Sequence, residues 1–144
     1  MQNFQEFLEN SLQQNIKKLV PLTGGASADI NRIILENNNE LIVRRSLSKE
    51  QSVMAVPKKL EAKIQRIVRS NDAPVPEIIF EFSEDEDIGE GYVMEAIPGE
   101  TIPRKILRDD KYKNVRSKLS FEIGRSLATI HQTKLDELTD LDSV

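Results

Sequence analysis

No cysteine occurs in this chain, which excludes disulfides and thiolate metal sites and fits a cytoplasmic protein. Histidine occurs once, at His131, so a histidine-based metal site has no second imidazole to call on. No apolar run approaches the ~20 residues of a membrane span. The opening MQNFQEFLEN lacks the basic start and the long apolar stretch of a secretory signal. What is present is a globular composition: 144 residues, 38% hydrophobic and 31% charged, enough for one ordinary domain with its own core. The formal charge of −4 argues against nucleic acid as a partner, and none of the composition argues for a membrane. That charge is unevenly placed, +4 over residues 1–70 and −8 over 71–144, which suggests an anionic ligand near the first half.

Residues 22–32 join two hydrophobic runs through Gly24, Gly25 and small neighbours. Small residues let a backbone lie close to a guest such as phosphate, although a plain turn would use the same pair. Asn37-Asn38-Asn39 follows, and asparagine accepts the left-handed angles of a tight reversal. The pattern therefore predicts strand, glycine turn, strand, asparagine turn, and a strand Leu41-Ile42-Val43-Arg44-Arg45 that ends in two cations. Ahead of it, Phe4, Phe7, Leu8 and Leu12 predict a short amphipathic helix over 3–15. A first strand is expected near 17–22, with Pro21 suggesting an edge.

Residues 46–56 read as a loop. Pro57 suits a first helical turn, and Leu60, Ile64, Ile67 and Val68 mark one face of a helix over 57–69. At about 100° per residue, Glu61 falls on the flank of that face. There it either pairs with a cation or leans out to water, because an unpaired buried charge is costly. Pro74-Val75-Pro76 forces an extended connector. Residues 77–82 alternate as a fourth strand, 83–91 read as a solvated acidic turn, and 92–97 form a fifth strand stopped by Pro98-Gly99. A short helix with a polar link over 101–113 precedes a longer helix over 114–132. Its apolar stripe is Val115, Leu119, Ile123, Leu127 and Ile130, with His131 at the edge as a structural residue.

Taken in order, these segments resemble the ATP-binding lobe of a protein-kinase-like phosphotransferase. In detail they resemble the aminoglycoside phosphotransferase and choline-kinase-like family, nearest the branch related to the kinase-like domain fused to some acyl-CoA dehydrogenases. Leu22-Thr23-Gly24-Gly25-Ala26-Ser27 looks like that family's LSGGxSN nucleotide loop, and Leu41-Ile42-Val43-Arg44-Arg45 like its VLRR strand. Glu61 precedes Pro74 by 13 residues, as the helix glutamate precedes the family's PVP. Tyr92-Val93-Met94-Glu95 with Gly99 looks like its YVMExxxG hinge, and Leu127-Ala128-Thr129-Ile130-His131 like its LAxLH helix.

The resemblance implies an α+β fold, a five-stranded mainly antiparallel sheet with flanking helices. Residues 1–98 would be the nucleotide-binding N-terminal lobe and 99–144 linker helices toward a C-terminal catalytic lobe. It implies ATP and Mg²⁺ as cofactors and transfer of the γ-phosphate to a hydroxyl of a small molecule. Gly24, Gly25, Ala26 and Ser27 would lie over the phosphates, Arg44 would reach them, and Glu61 would fix Arg44. Ile42 would roof the adenine, Met94 would back its pocket, and the backbones of Glu95 and Ile97 would bond its edge. Strand parity with Ile42 favours Arg44 over Arg45 for the phosphate contact. Kinases carry lysine there, and arginine keeps the charge and adds bidentate reach. A larger departure is that no His-Gly-Asp catalytic loop occurs, nor the downstream metal ligands. The chain is thus expected to be inactive alone, as part of a longer enzyme, or else to be a non-catalytic module that binds nucleotide or a partner. A lobe without its companion would expose apolar surface, so self-association is expected.

Overall fold

The sheet has five strands, and along the second and fourth in chain order the more buried positions recur at every second residue, as side chains alternating between two faces require. The strands are β1 (Ile16–Pro21), β2 (Asp29–Leu35), β3 (Glu40–Ser46), β4 (Ile78–Ser83) and β5 (Glu90–Glu95). All pair antiparallel in the order β1-β2-β3-β5-β4. Pro21 therefore sits on an edge strand, where its missing N–H costs no ladder bond. The computed structural model describes residues 3–22, 29–47, 56–83 and 87–134. Gly24, Gly25, Ala26 and Ser27 lie outside the described residues, as do most of the 46–56 loop, part of the acidic turn and the acidic tail. The chain divides into two compact units, Met1–Arg66 with Pro76–Ala96, and Ile67–Val75 with Ile97–Val144.

In the first unit, α1 (Phe4–Leu12) lays its apolar face on one side of the sheet. Asn3 caps its start by accepting the Gln5 amide, and Gln13 ends it in the left-handed region at φ 52°. Leu8 is fully buried with Ile16, Ile33, Leu35, Val43, Phe82, Ile88 and Val93, and Phe4, Phe7 and Leu12 pack against them. Phe7 meets Phe82 edge to face with ring centroids 5.2 Å apart. Glu9 ties the helix to β1: its carboxylate accepts the Ile16 amide at 2.9 Å and Gln5 Nε2 at 3.2 Å. The bond from the Ile16 amide holds the Glu9 carboxyl below its ordinary range.

The β2–β3 hairpin turns on the asparagines as expected. Asn38 is left-handed at φ 63°, and Asn37 Oδ1 accepts the Asn39 amide at 2.9 Å. On β5, Gly91 is required by proximity: a Cβ there would come within 2.5 Å of both the Arg44 carbonyl oxygen and Phe82 Cζ.

The helix α2 (Lys58–Ser70) follows the loop, with its first turns in the sheet unit. Its buried face matches the expected one in part, since Ile67 and Val68 are buried. Leu60 and Ile64 are only half-buried, and in the sheet unit the covered residues are Ala62 and Lys58, with Glu61 and Gln65 half-covered beside them. The physical reason is that polar side chains with partners serve on a buried face as well as apolar ones.

In the second unit, Ala73 is buried and its amide bonds the Val68 carbonyl after the left-handed Asp72. Then come α3 (Pro103–Arg108), a 3-10 turn (Asp110–Tyr112) and α4 (Lys113–His131). Arg116 Nη1 donates to the Ile106 and Asp109 carbonyls at 3.0 and 2.9 Å, which joins α4 to the end of α3. The stripe on α4 is present but not buried: Val115, Ile123, Leu127 and Ile130 are exposed. Helical periodicity identified the helix correctly, but periodicity alone does not supply a covering surface.

Candidate functional site

Strand parity divides the residues of β3 between two chemically different faces. Ile42 stands opposite Met94 and Arg44 opposite Tyr92, so these four side chains share the face turned away from α1. Val43 stands opposite Val93 on the α1 face, where both are fully buried. Arg45 is also on the α1 face. Its guanidinium carbon lies 3.7 Å from the Phe4 ring centroid, and its Nε is 2.8 Å from Asp29 Oδ2. Of the two adjacent arginines, Arg44 alone is placed beside Ile42.

Onto this face α2 brings residues at helical spacing: Lys58, Glu61, Ala62 and Gln65. Ala62 is buried with Ile78 and Tyr92, and Met94 packs against them. Gln65 Nε2 donates to the Pro76 carbonyl at 2.7 Å and lies 3.8 Å from Met94 Sδ. Glu61 is the centre of a cluster. Its Oε1 accepts from Lys58 Nζ at 2.7 Å, and its Oε2 accepts from the Tyr92 hydroxyl at 3.2 Å. Arg44 Nε lies 3.0 Å from the same Oε2. That approach is an ion pair without an aligned hydrogen bond, since this buried nitrogen has no hydrogen-bond partner. Lys58 is further fixed by its amide, which donates to Glu90 Oε1 at 3.0 Å, and by Nζ, 3.3 Å from the Val56 carbonyl.

The exposures decide which cation a ligand can meet. The Arg44 side chain is 28% exposed and that of Lys58 only 3%. Of the two outcomes open to a carboxylate on the flank of its helix, Glu61 takes the paired one.

Tyr92 is a neutral donor in this cluster. Burial, with the Glu61 carboxylate beside it, pushes its hydroxyl from the ordinary 10.0 up to about 12, against a smaller downward pull from Arg44. The folded state therefore keeps a proton that the unfolded chain releases near pH 10. The associated stability is complete below that pH and is lost as pH rises toward about 12. We expect Tyr92→Phe to cost about 1 kcal/mol at neutral pH, the typical worth of one hydrogen bond. The variant should also lack part of the alkaline loss. Urea midpoints of both proteins from pH 8 to pH 11.5 check this, and a constant difference across the series would contradict it.

The remaining site residues are placed as follows. Glu95 ends β5 with its amide bonded to the Glu77 carbonyl at 2.9 Å and its carboxylate 3.4 Å from the Glu77 amide. Ile97 belongs to the second unit and is 56% exposed. Gly24, Gly25, Ala26 and Ser27 lie outside the described residues. Sequence reasoning missed Lys58, Tyr92 and Gln65. For Lys58 and Gln65 a signal existed, the i, i+3, i+4, i+7 recurrence of 58, 61, 62 and 65, but the search for apolar residues passed over it.

A five-stranded antiparallel sheet with flanking helices, and a cation–carboxylate pair from its third strand to the helix that follows, form an α+β fold consistent with a kinase-like N-terminal lobe. The chain belongs to the phosphotransferase enzyme family, whose model matches residues 18–143. No curated protein matches the chain. No helix among the described residues is long and apolar enough to cross a membrane.

Proposed function

We propose that this chain supplies the nucleotide-holding lobe of an ATP-dependent phosphotransferase that phosphorylates a hydroxyl of a small molecule. The observation that carries the reading is the Arg44–Glu61 ion pair at 3.0 Å, on the same sheet face as the Ile42–Met94 pair, in a chain of this family. Two residues along a strand span roughly 6.6 Å. Ile42 and Arg44 thus offer an apolar surface for a base and, one step further, a partly exposed cation for phosphate. The guanidinium fits a phosphate through its paired donors. Glu61 orients it, as a carboxylate on the neighbouring helix does for the strand cation of kinases. The amide of Glu95 is bonded to Glu77, so on this reading it is the Glu95 carbonyl, not the amide, that meets an adenine edge.

Phosphoryl transfer also calls on Mg²⁺ to neutralise the phosphates. Among the described residues no group of three or more His, Asp or Glu side chains could hold a metal ion, so no metal-dependent step is assigned to them. A catalytic base of the His-Gly-Asp type is likewise not in this sequence. We therefore expect the 144-residue chain to bind ATP and to show no turnover in a steady-state assay with Mg·ATP. Titration of the ¹⁵N-labelled chain with ATP tests the binding. Amide shifts should centre on residues 23–28, 42–44, 61 and 94–95. Shifts confined to other residues would sink the nucleotide reading.

A further inference from the structure

Lys58 has no part in the reading above, yet it makes the shortest contact of the Glu61 cluster. Glu61 has two aligned donors, Lys58 Nζ on Oε1 and the Tyr92 hydroxyl on Oε2. Arg44 has only the unaligned approach, although its side chain is the more exposed of the two cations. A carboxylate satisfied by a buried ammonium does not depend on Arg44 for its hydrogen bonds. Arg44 is then held by charge alone and keeps its guanidinium donors for another anion.

We propose that Lys58 is a positioning residue for nucleotide phosphate. By occupying Glu61 from inside α2, it lets Glu61 orient Arg44 without consuming it. The proposal rests on the nucleotide reading and adds a second cation to it. Lys58 is too deeply buried to touch the ligand, so it acts through Glu61 and Arg44. Its backbone bond to Glu90 and the contact of Nζ with the Val56 carbonyl fix it at the head of the helix.

The test compares ATP with adenosine, which shares the base but lacks phosphate, by NMR titration of the wild-type chain and Lys58→Met. Without the ammonium, Glu61 takes Arg44 as its hydrogen-bonding partner. ATP affinity should fall about fivefold, within the range of indirect couplings, while adenosine affinity holds. In an Arg44→Ala background the same substitution should change ATP affinity no further, since the two act as one unit. Lys58→Gln, which keeps a donor but not the charge, serves if Lys58→Met does not fold. Equal weakening of ATP and adenosine would reduce Lys58 to a structural role and overturn the proposal. So would an undiminished Lys58 effect without Arg44. Failure of the wild-type chain to bind ATP would overturn the nucleotide reading itself, and this assignment with it. Normal ATP binding by Lys58→Met would overturn this assignment alone.

Discussion

Arg44→Ala is expected to weaken ATP binding by about ten- to a hundredfold and to leave adenosine binding nearly unchanged. A hydrogen bond from a charged donor contributes roughly 1.5–3 kcal/mol, and about 1.4 kcal/mol is a factor of ten. The loss falls on the phosphates because Arg44, not Ile42 or Met94, carries the charge on this face. Stability should change less than for most charge deletions at a partly buried pair. Glu61 retains Lys58 at 2.7 Å and Tyr92 at 3.2 Å, so the carboxylate is not stranded. Isothermal calorimetry on both ligands measures the split. Arg45→Ala is the matching control, because that side chain stacks on Phe4 across the sheet. An ATP affinity unmoved by Arg44→Ala, or moved equally by Arg45→Ala, would remove Arg44 from the phosphate contact.

Leu8→Ala should produce the largest loss of stability of any substitution discussed here, about 3 kcal/mol. Leu8 is fully buried, and truncating a leucine in such a site costs the transfer of its atoms plus the cavity left behind, about 2–5 kcal/mol. Against the ~5–15 kcal/mol of a typical domain that is a large share, and the melting temperature should drop by roughly 10 °C. The folded fraction should bind ATP as before, since α1 covers the face opposite Arg44. Urea denaturation followed by titration at a temperature where both proteins are folded separates the two effects. An ATP affinity that fell along with stability would show that the two faces are not independent.

Much of this arrangement was legible in the chain because it rests on local rules. Hydrophobic runs between turn signals marked four strands and alternation marked β4, three asparagines marked the β2–β3 turn, and the parity of Ile42 and Arg44 their common face. Helical geometry places Glu61 on a flank, where pairing with a cation and leaning out to water were both open, and the contacts with Arg44 and Lys58 decide for the first. What could not be read was which polar residues would be covered. Lys58 is 2% exposed although lysine is among the residues least often buried; its ammonium is paired with the carboxylate three residues along, and its backbone amide with a second carboxylate on β5. Tyr92 was read as part of a hinge motif, while its role as a donor to Glu61 comes from a cross-strand position opposite Arg44. Conversely, Val115, Ile123 and Leu127 have the spacing of a buried face and are exposed, because amphipathicity describes a helix and not its surroundings.

The alternation of Arg44 and Arg45 has a consequence for how the chain tolerates change. The two arginines are chemically identical neighbours with opposite assignments, one toward Glu61 and one toward Phe4. Only the register of β3 distinguishes them. A slip of a single residue against β2 would exchange their faces and turn Val43 toward the α2 side. The turn at Asn37, Asn38 and Asn39, which contributes no side chain to the site, is therefore its index mark. It counts the strand into place, and a miscount there would erase the site while leaving its composition untouched.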